Sequence, residues 1–301
     1  MAAAPTTPSA LHHPTFEYVS HRGPHRIASG VLDPAGVPGQ VYAPVSGRDL
    51  PVIGFAHGWL QPIRRYTETM RYLASWGFVV VAPATERGPI PSAAGLGADL
   101  SRSLRAVANS SLAGGVLTVS DKKFGVLGHS VGGGAAVLAA ANDAGIKAVV
   151  AVTPSASKVA LRAAGNVLAP GLILVGKYDA MSDQAGERLA RSWAGPVQLR
   201  EVKGAKHFGL SEGSHWTTAL VGDGKDKRLQ TATRTLATAF LLRYVAGHDQ
   251  LADELESKVP GTSIVDLSEA DKAAKAADDA EAAADRAVED GAAEPADASA
   301  P

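Results

Sequence analysis

Residues 124–140 read FGVLGHSVGGGAAVLAA. A short apolar run reaches Gly128, Ser130 follows between Gly128 and Gly132, and small residues then recur with helical spacing. Two readings of Ser130 compete. It is an ordinary helix N-cap, or it is the nucleophile of a strand–turn–helix elbow. A lone G-x-S-x-G is weak evidence in a chain with 32 glycines. The elbow also requires a buried strand before it and a helix after it, and both patterns are present. Glycine at 128 and 132 leaves room where a Cβ would strike the neighbouring strand and helix. The helix N-terminus beneath Ser130 would stabilise a developing oxyanion. These features favour Ser130 as a nucleophile.

Working outward, the spacing predicts strands at 51–58, 78–83, 123–129, 146–154, 171–176 and 197–204. Helical patterns cover 64–77, 99–109, 131–142, 183–193 and 227–246. Apolar strands alternating with helices imply an α/β fold whose mostly parallel sheet is covered on both faces. Three β-like runs at 16–20, 26–31 and 39–42 precede them and predict antiparallel edge strands. Only 18 residues lie between Val152 and Gly171, too few for a cap domain. The expected cleft is therefore open and shallow. The expected organisation is a mobile arm over 1–15, a catalytic domain over 16–250, a C-terminal extension over 251–267 and an acidic, Ala-rich, disordered tail over 268–301.

Composition restricts the partners. The chain has 301 residues, 46% of them hydrophobic, enough for one substantial core. Its formal net charge of −1 gives no sign of a nucleic-acid partner. Residues 268–301 hold ten Asp/Glu against three Lys/Arg, so the rest of the chain is net positive. There is no cysteine, which excludes disulfides, thiolate catalysis and Cys-based metal sites. The N-terminus shows neither the basic nor the apolar region of a secretory signal. A cytoplasmic location is therefore expected, or a secreted one if a signal has been removed. No apolar run approaches the ~20 residues of a membrane span. A monomer is favoured, and no metal or organic cofactor is implied.

A serine nucleophile needs a base and an orienting acid, which in this kind of fold follow in the order acid, then His. Asp179 lies just past the strand at 171–176 and His207 just past that at 197–204, at carboxyl ends where open α/β sheets place their sites. Asp183 is the rival acid, though its place suits a helix cap. His215 is the rival base, though it lies further from its strand. His129, beside the nucleophile, suits packing or hydrogen bonding and is also a candidate substrate contact. An oxyanion hole needs two backbone donors: Val131 N–H after the nucleophile, and Trp59 N–H in the turn FAHGWLQP after the strand at 51–58. His57 in that turn reads as structural.

The segments AHGW (56–59), GHSVGGGA (128–135), VGKYDAMS (175–182) and GAKHFG (204–209) together resemble the four-part pattern of α/β-hydrolase esterases. The branch most resembled holds the dienelactone hydrolase-like proteins and the bacterial cutinases and polyester hydrolases, over roughly residues 35–247. The resemblance implies a serine esterase with the triad Ser130, His207 and Asp179, and with Trp59 both donating its N–H and lining the ester cleft. It also implies a small-molecule or polymeric ester as substrate. The chain departs from the branch in lacking the C-terminal disulfide, and in carrying Ser155 where an aromatic clamp on the acyl group is usual. Ser155 is thereby a candidate substrate contact. An acyltransferase, a chlorophyllase- or acetylhydrolase-like enzyme, and a non-catalytic binding protein on the same fold are the alternatives.

Overall fold

The run VVVAP at Val79–Pro83 is buried at every position. A strand can hide both faces only inside a sheet that is covered on each side, and the rest of the molecule is built around that need. The computed structural model describes residues 15–33, 36–110, 112–176, 179, 184–213 and 225–268. Among these, the sheet is made of β1 (Ile27–Val31), β2 (Gly39–Pro44), β3 (Gly47–Ala56), β4 (Val79–Pro83), β5 (Leu117–His129), β6 (Ile146–Val152), β7 (Gly171–Gly176), β8 (Val197–Val202) and β9 (Thr262–Ile264). Their order is β1-β2-β4-β3-β5-β6-β7-β8-β9. Neighbours from β4 to β8 pair parallel, and β1, β2 and β9 join antiparallel at the edges. This is the α/β-hydrolase arrangement.

The helices are α1 (Phe16–Val19), α2 (Thr67–Ser75), α3 (Ala93–Ala108), α4 (Val131–Asn142), α5 (Lys158–Ala164), α6 (Ala185–Arg191), α7 (Lys227–Leu241) and α8 (Ala252–Glu256). One large core lies where α2 and α7 bury Met70, Leu73, Leu236 and Phe240 against Ile53, Phe55, Val80 and Leu172 of the sheet. On the area scale each such side chain stabilises by roughly 1.5–3 kcal/mol. α4 is almost all Gly, Ala, Val and Leu, and Gly132 to Ala140 are buried throughout. The link from β6 to β7 carries only α5, so no cap stands over the sheet there.

Two elements differ from the sequence-based expectation. Residues 16–20 form the helical turn α1, not a strand. The Thr15 hydroxyl accepts the Tyr18 N–H at 3.3 Å, the Ser20 hydroxyl donates to the Glu17 carbonyl at 2.7 Å, and Val19 is fully buried. The apolar residues of FEYVS fit a period of three as well as two. At the other end, β9 adds to β8 although only three residues long. Arg200 of β8 organises this end. Its side chain is fully buried and bonds Gln198 at 2.9 Å, Thr262 at 3.3 Å, the Ser257 carbonyl at 3.1 Å and the Leu255 carbonyl. Burial holds its pKa below the usual arginine range.

The chain divides into one unit ending at Ile264 and a second beginning at Val265. In the second, the Asp266 carboxylate accepts the Ser268 N–H and hydroxyl at 2.9 and 2.7 Å. The arm expected over 1–15 and the tail expected over 268–301 lie almost wholly outside the described residues. No described helix is long and apolar enough to cross a membrane.

Candidate active site

β5 ends at His129 and α4 begins at Val131, so Ser130 alone makes the connection. Its φ of 56° and ψ of −120° form a left-handed conformation that a non-glycine residue keeps only when its surroundings over-determine it. Here they do. Ser130 N–H donates to the Val152 carbonyl at 3.0 Å, and the Ser130 carbonyl accepts the N–H groups of Gly133 and Ser155, each at 2.9 Å. The flanking glycines are sterically required. A Cβ on Gly128 would lie 1.9 Å from the Gly132 carbonyl oxygen, and one on Gly132 would lie 2.3 Å from that of Ala56.

Asp179 follows β7, and His207 opens a 3-10 turn (His207–Leu210) after β8. Parallel strands bring both to the carboxyl edge of the sheet beside the elbow. Ser130 Oγ is 2.8 Å from His207 Nε2, and His207 Nδ1 is 2.8 Å from Asp179 Oδ2. A carboxylate only accepts, so Nδ1 carries the proton and Nε2 accepts the Ser130 hydroxyl. The side chains of His207 and Asp179 are 3% and 1% exposed, and Ser130 is 2% exposed. Water screens these contacts little, and each weighs more than it would at the surface.

A family model described as "PETase: PET hydrolase-like" matches residues 11–224. The chain belongs to that family. The matched span is more than two thirds of the chain and contains Ser130, Asp179 and His207. The family is one of ester hydrolases on an α/β-hydrolase-type fold. Among curated proteins, no match to the chain is found.

In this PET hydrolase-like protein, Ser155 sits against Ser130, the two Oγ atoms 3.2 Å apart. Trp59 is partly exposed, and its indole N–H donates to the Pro89 carbonyl at 2.8 Å. The ring is thereby tied to the loop before α3 beside the fully exposed Ile90. His57 is turned inward. Its ring nitrogens lie 2.9 Å from the Gly58 carbonyl and 2.8 Å from that of Thr85, so it fastens the turn and has no nitrogen facing the cleft. Val131 is the first residue of α4, and its N–H has no acceptor within the helix. The rival residues Asp183 and His215 lie outside the described residues.

His129 is placed differently from the cleft contact expected of it. It is fully buried, and its ring bonds the Tyr66 hydroxyl at 2.7 Å and the His207 carbonyl at 2.8 Å. No surface remains for substrate. Burial, then the neighbouring His207, push its pKa down to about 3, so it is neutral near pH 7. Two supports of the loop that carries His207 were not foreseen from sequence. The Thr153 hydroxyl donates to the His207 carbonyl at 2.9 Å. Arg65 donates to the Glu212 and Gly213 carbonyls at 2.9 and 3.1 Å, while the Glu212 carboxylate takes the N–H groups of Glu68 and Thr69 at the start of α2. The partner of each lies more than fifty residues away, beyond the range of any local pattern.

Proposed function

We propose that the protein hydrolyses carboxylic esters through an acyl-enzyme on Ser130. The observation that carries this is the continuous pair of 2.8 Å contacts from Ser130 through His207 to Asp179. His207 Nε2 takes the hydroxyl proton as Ser130 Oγ attacks the ester carbonyl. The N–H groups of Val131 and Trp59 receive the oxyanion. The imidazolium, held by Asp179, returns the proton to the leaving alkoxide as the ester C–O bond breaks. Water then repeats the sequence on the acyl-enzyme and frees the acid.

The short β6–β7 link and the exposed Trp59 and Ile90 support an open cleft suited to short or bulky esters, including polymeric ones. Ser155 offers a hydroxyl, not a stacking ring, at the acyl side. On a graded series of p-nitrophenyl esters, turnover of C4 exceeds that of C16 by about tenfold, since methylenes outside a pocket forfeit ~1–3 kcal/mol. A clear preference for C16 would mean that a segment closes over the site. Absence of hydrolysis across the series would overturn the proposal.

A further inference from the structure

The ring of His129 is used on both sides, and the direction of each bond is fixed by chemistry. Its Nε2 lies 2.8 Å from the His207 carbonyl, which can only accept, so Nε2 carries the hydrogen. Nδ1 is then bare, and the Tyr66 hydroxyl at 2.7 Å donates to it. The Tyr66 oxygen keeps a lone pair for the Gly58 N–H at 3.1 Å. Every donor meets one acceptor, from Gly58 through Tyr66 and His129 to His207. Both side chains are fully buried, and burial raises the Tyr66 pKa and lowers that of His129. Both therefore stay neutral and the direction persists across ordinary pH.

Three parts of the site end on this relay. His129 precedes the nucleophile in the chain. Gly58 precedes Trp59, the proposed oxyanion donor. His207 is the base, and its carbonyl also takes the Thr153 hydroxyl at 2.9 Å from a β-branched residue held at φ 38°, a conformation that persists only where the surroundings enforce it. The turn rests directly on the relay: a Cβ at Gly58 would come within 2.8 Å of His129 Nδ1 and 3.2 Å of the Tyr66 oxygen.

We propose that Tyr66 and His129 are positioning residues that hold the oxyanion turn and the base loop to one buried imidazole beside the nucleophile. The proposal rests on the serine-esterase reading above. Removing the Tyr66 hydroxyl leaves Gly58 N–H and His129 Nδ1 without partners in a buried place. The turn then shifts to find others, and the Trp59 N–H moves with it.

The test is Tyr66→Phe, with rates on a p-nitrophenyl butyrate referred to active sites titrated by a fluorophosphonate, well below the melting temperature. The expected result is kcat lower by about tenfold, part of what a lost oxyanion donor costs, with KM changed less than twofold. The inhibition constant of a trifluoromethyl ketone, which forms the tetrahedral adduct, rises by the same factor as kcat/KM falls. A purely structural role would lower the melting temperature and leave both per-site values unchanged, and that outcome overturns the proposal. His129→Leu combined with Tyr66→Phe costs little more than the worse single change if the relay is one unit. Independent losses that multiply also overturn it, and if His129→Leu does not fold, Tyr66→Phe alone decides. A wild type labelled at Ser130 but insensitive to Tyr66→Phe sinks the relay alone. An unlabelled, inactive wild type sinks the esterase reading and the relay together.

Discussion

A cavity of about 600 Å³ opens between α1, the start of α7 and residues 259–261, walled mainly by apolar groups such as Phe16, Val202, Ala232 and Val259. The proposed triad lies elsewhere, at the carboxyl ends of β5, β7 and β8. There Ser130, His207 and Asp179 meet at hydrogen-bond distance with almost no exposed side-chain surface. The cavity has room, and its lining holds Glu17, Lys227 and Arg228 but no histidine. Ser130, His207 and Asp179 converge with little exposed side-chain surface of their own. In this fold, which polar groups meet follows from where the parallel strands end, and here that place and the 600 Å³ cavity are different.

The largest expected effect lies at Ser130 and His207. Ser130→Ala should reduce kcat on p-nitrophenyl butyrate by at least ~10³-fold, and Ser130→Ala with His207→Ala should cost little more than either alone, because members of one relay are not additive. Losses that multiply would place His207 outside the nucleophile's machinery and return attention to His215.

The next effect is on stability, at the far edge of the sheet. Arg200→Ala strands the carbonyls of Leu255 and Ser257 that it now bonds. It should cost about 3 kcal/mol in urea unfolding, the scale for losing a buried charged hydrogen-bonding group. Per-site esterase activity should stay near wild type. An unchanged urea midpoint would show that β9 does not depend on Arg200.

A pH-dependent effect separates the buried imidazole from ordinary surface histidines. Burial depresses the pKa of His129 from 6.5 to about 3 in the folded protein. Between those values the unfolded chain binds a proton there that the folded chain does not, so stability falls as pH drops from 6.5 towards 3. His25 and His248, also lowered by burial, act in the same direction. Urea midpoints at pH 7, 5.5 and 4 should fall less steeply in His129→Asn than in wild type. Equal slopes would mean that His129 is not the neutral, buried group described.

Smallest of all is the expected effect of filling the cavity. Thr231→Trp introduces an indole into its lining and should change esterase turnover less than twofold. A tenfold loss would join the two regions functionally and undo the contrast between them.

Much of this was legible in the sequence, and the limits have physical reasons. The elbow could be read because Gly128, Ser130 and Gly132 mark a strand–turn–helix in one short run, even though the Gly132 contact falls on Ala56, in a neighbouring strand. Asp179 and His207 could be read because parallel strands deliver their C-terminal ends to one edge whatever lies between. The opposite holds for His129. Its surroundings are set by Tyr66, sixty-three residues earlier, and by the His207 carbonyl, seventy-eight later, and a G-H-S triplet carries no trace of either. α1 escaped because a four-residue helix and a short strand place apolar groups alike. β9 escaped because Thr262, Ser263 and Ile264 have too little pattern of their own, and Arg200, which fastens this end, reads from sequence as a surface charge.

If Ser130 is an activated nucleophile, covalent labelling should find it. Intact protein treated with a fluorophosphonate, digested and mapped by mass spectrometry, should carry one adduct per chain on the peptide containing Ser130. The adduct should be absent in Ser130→Ala and retained in Thr231→Trp. An adduct on another residue, or one that persists in Ser130→Ala, would mean that Ser130 is not the nucleophile.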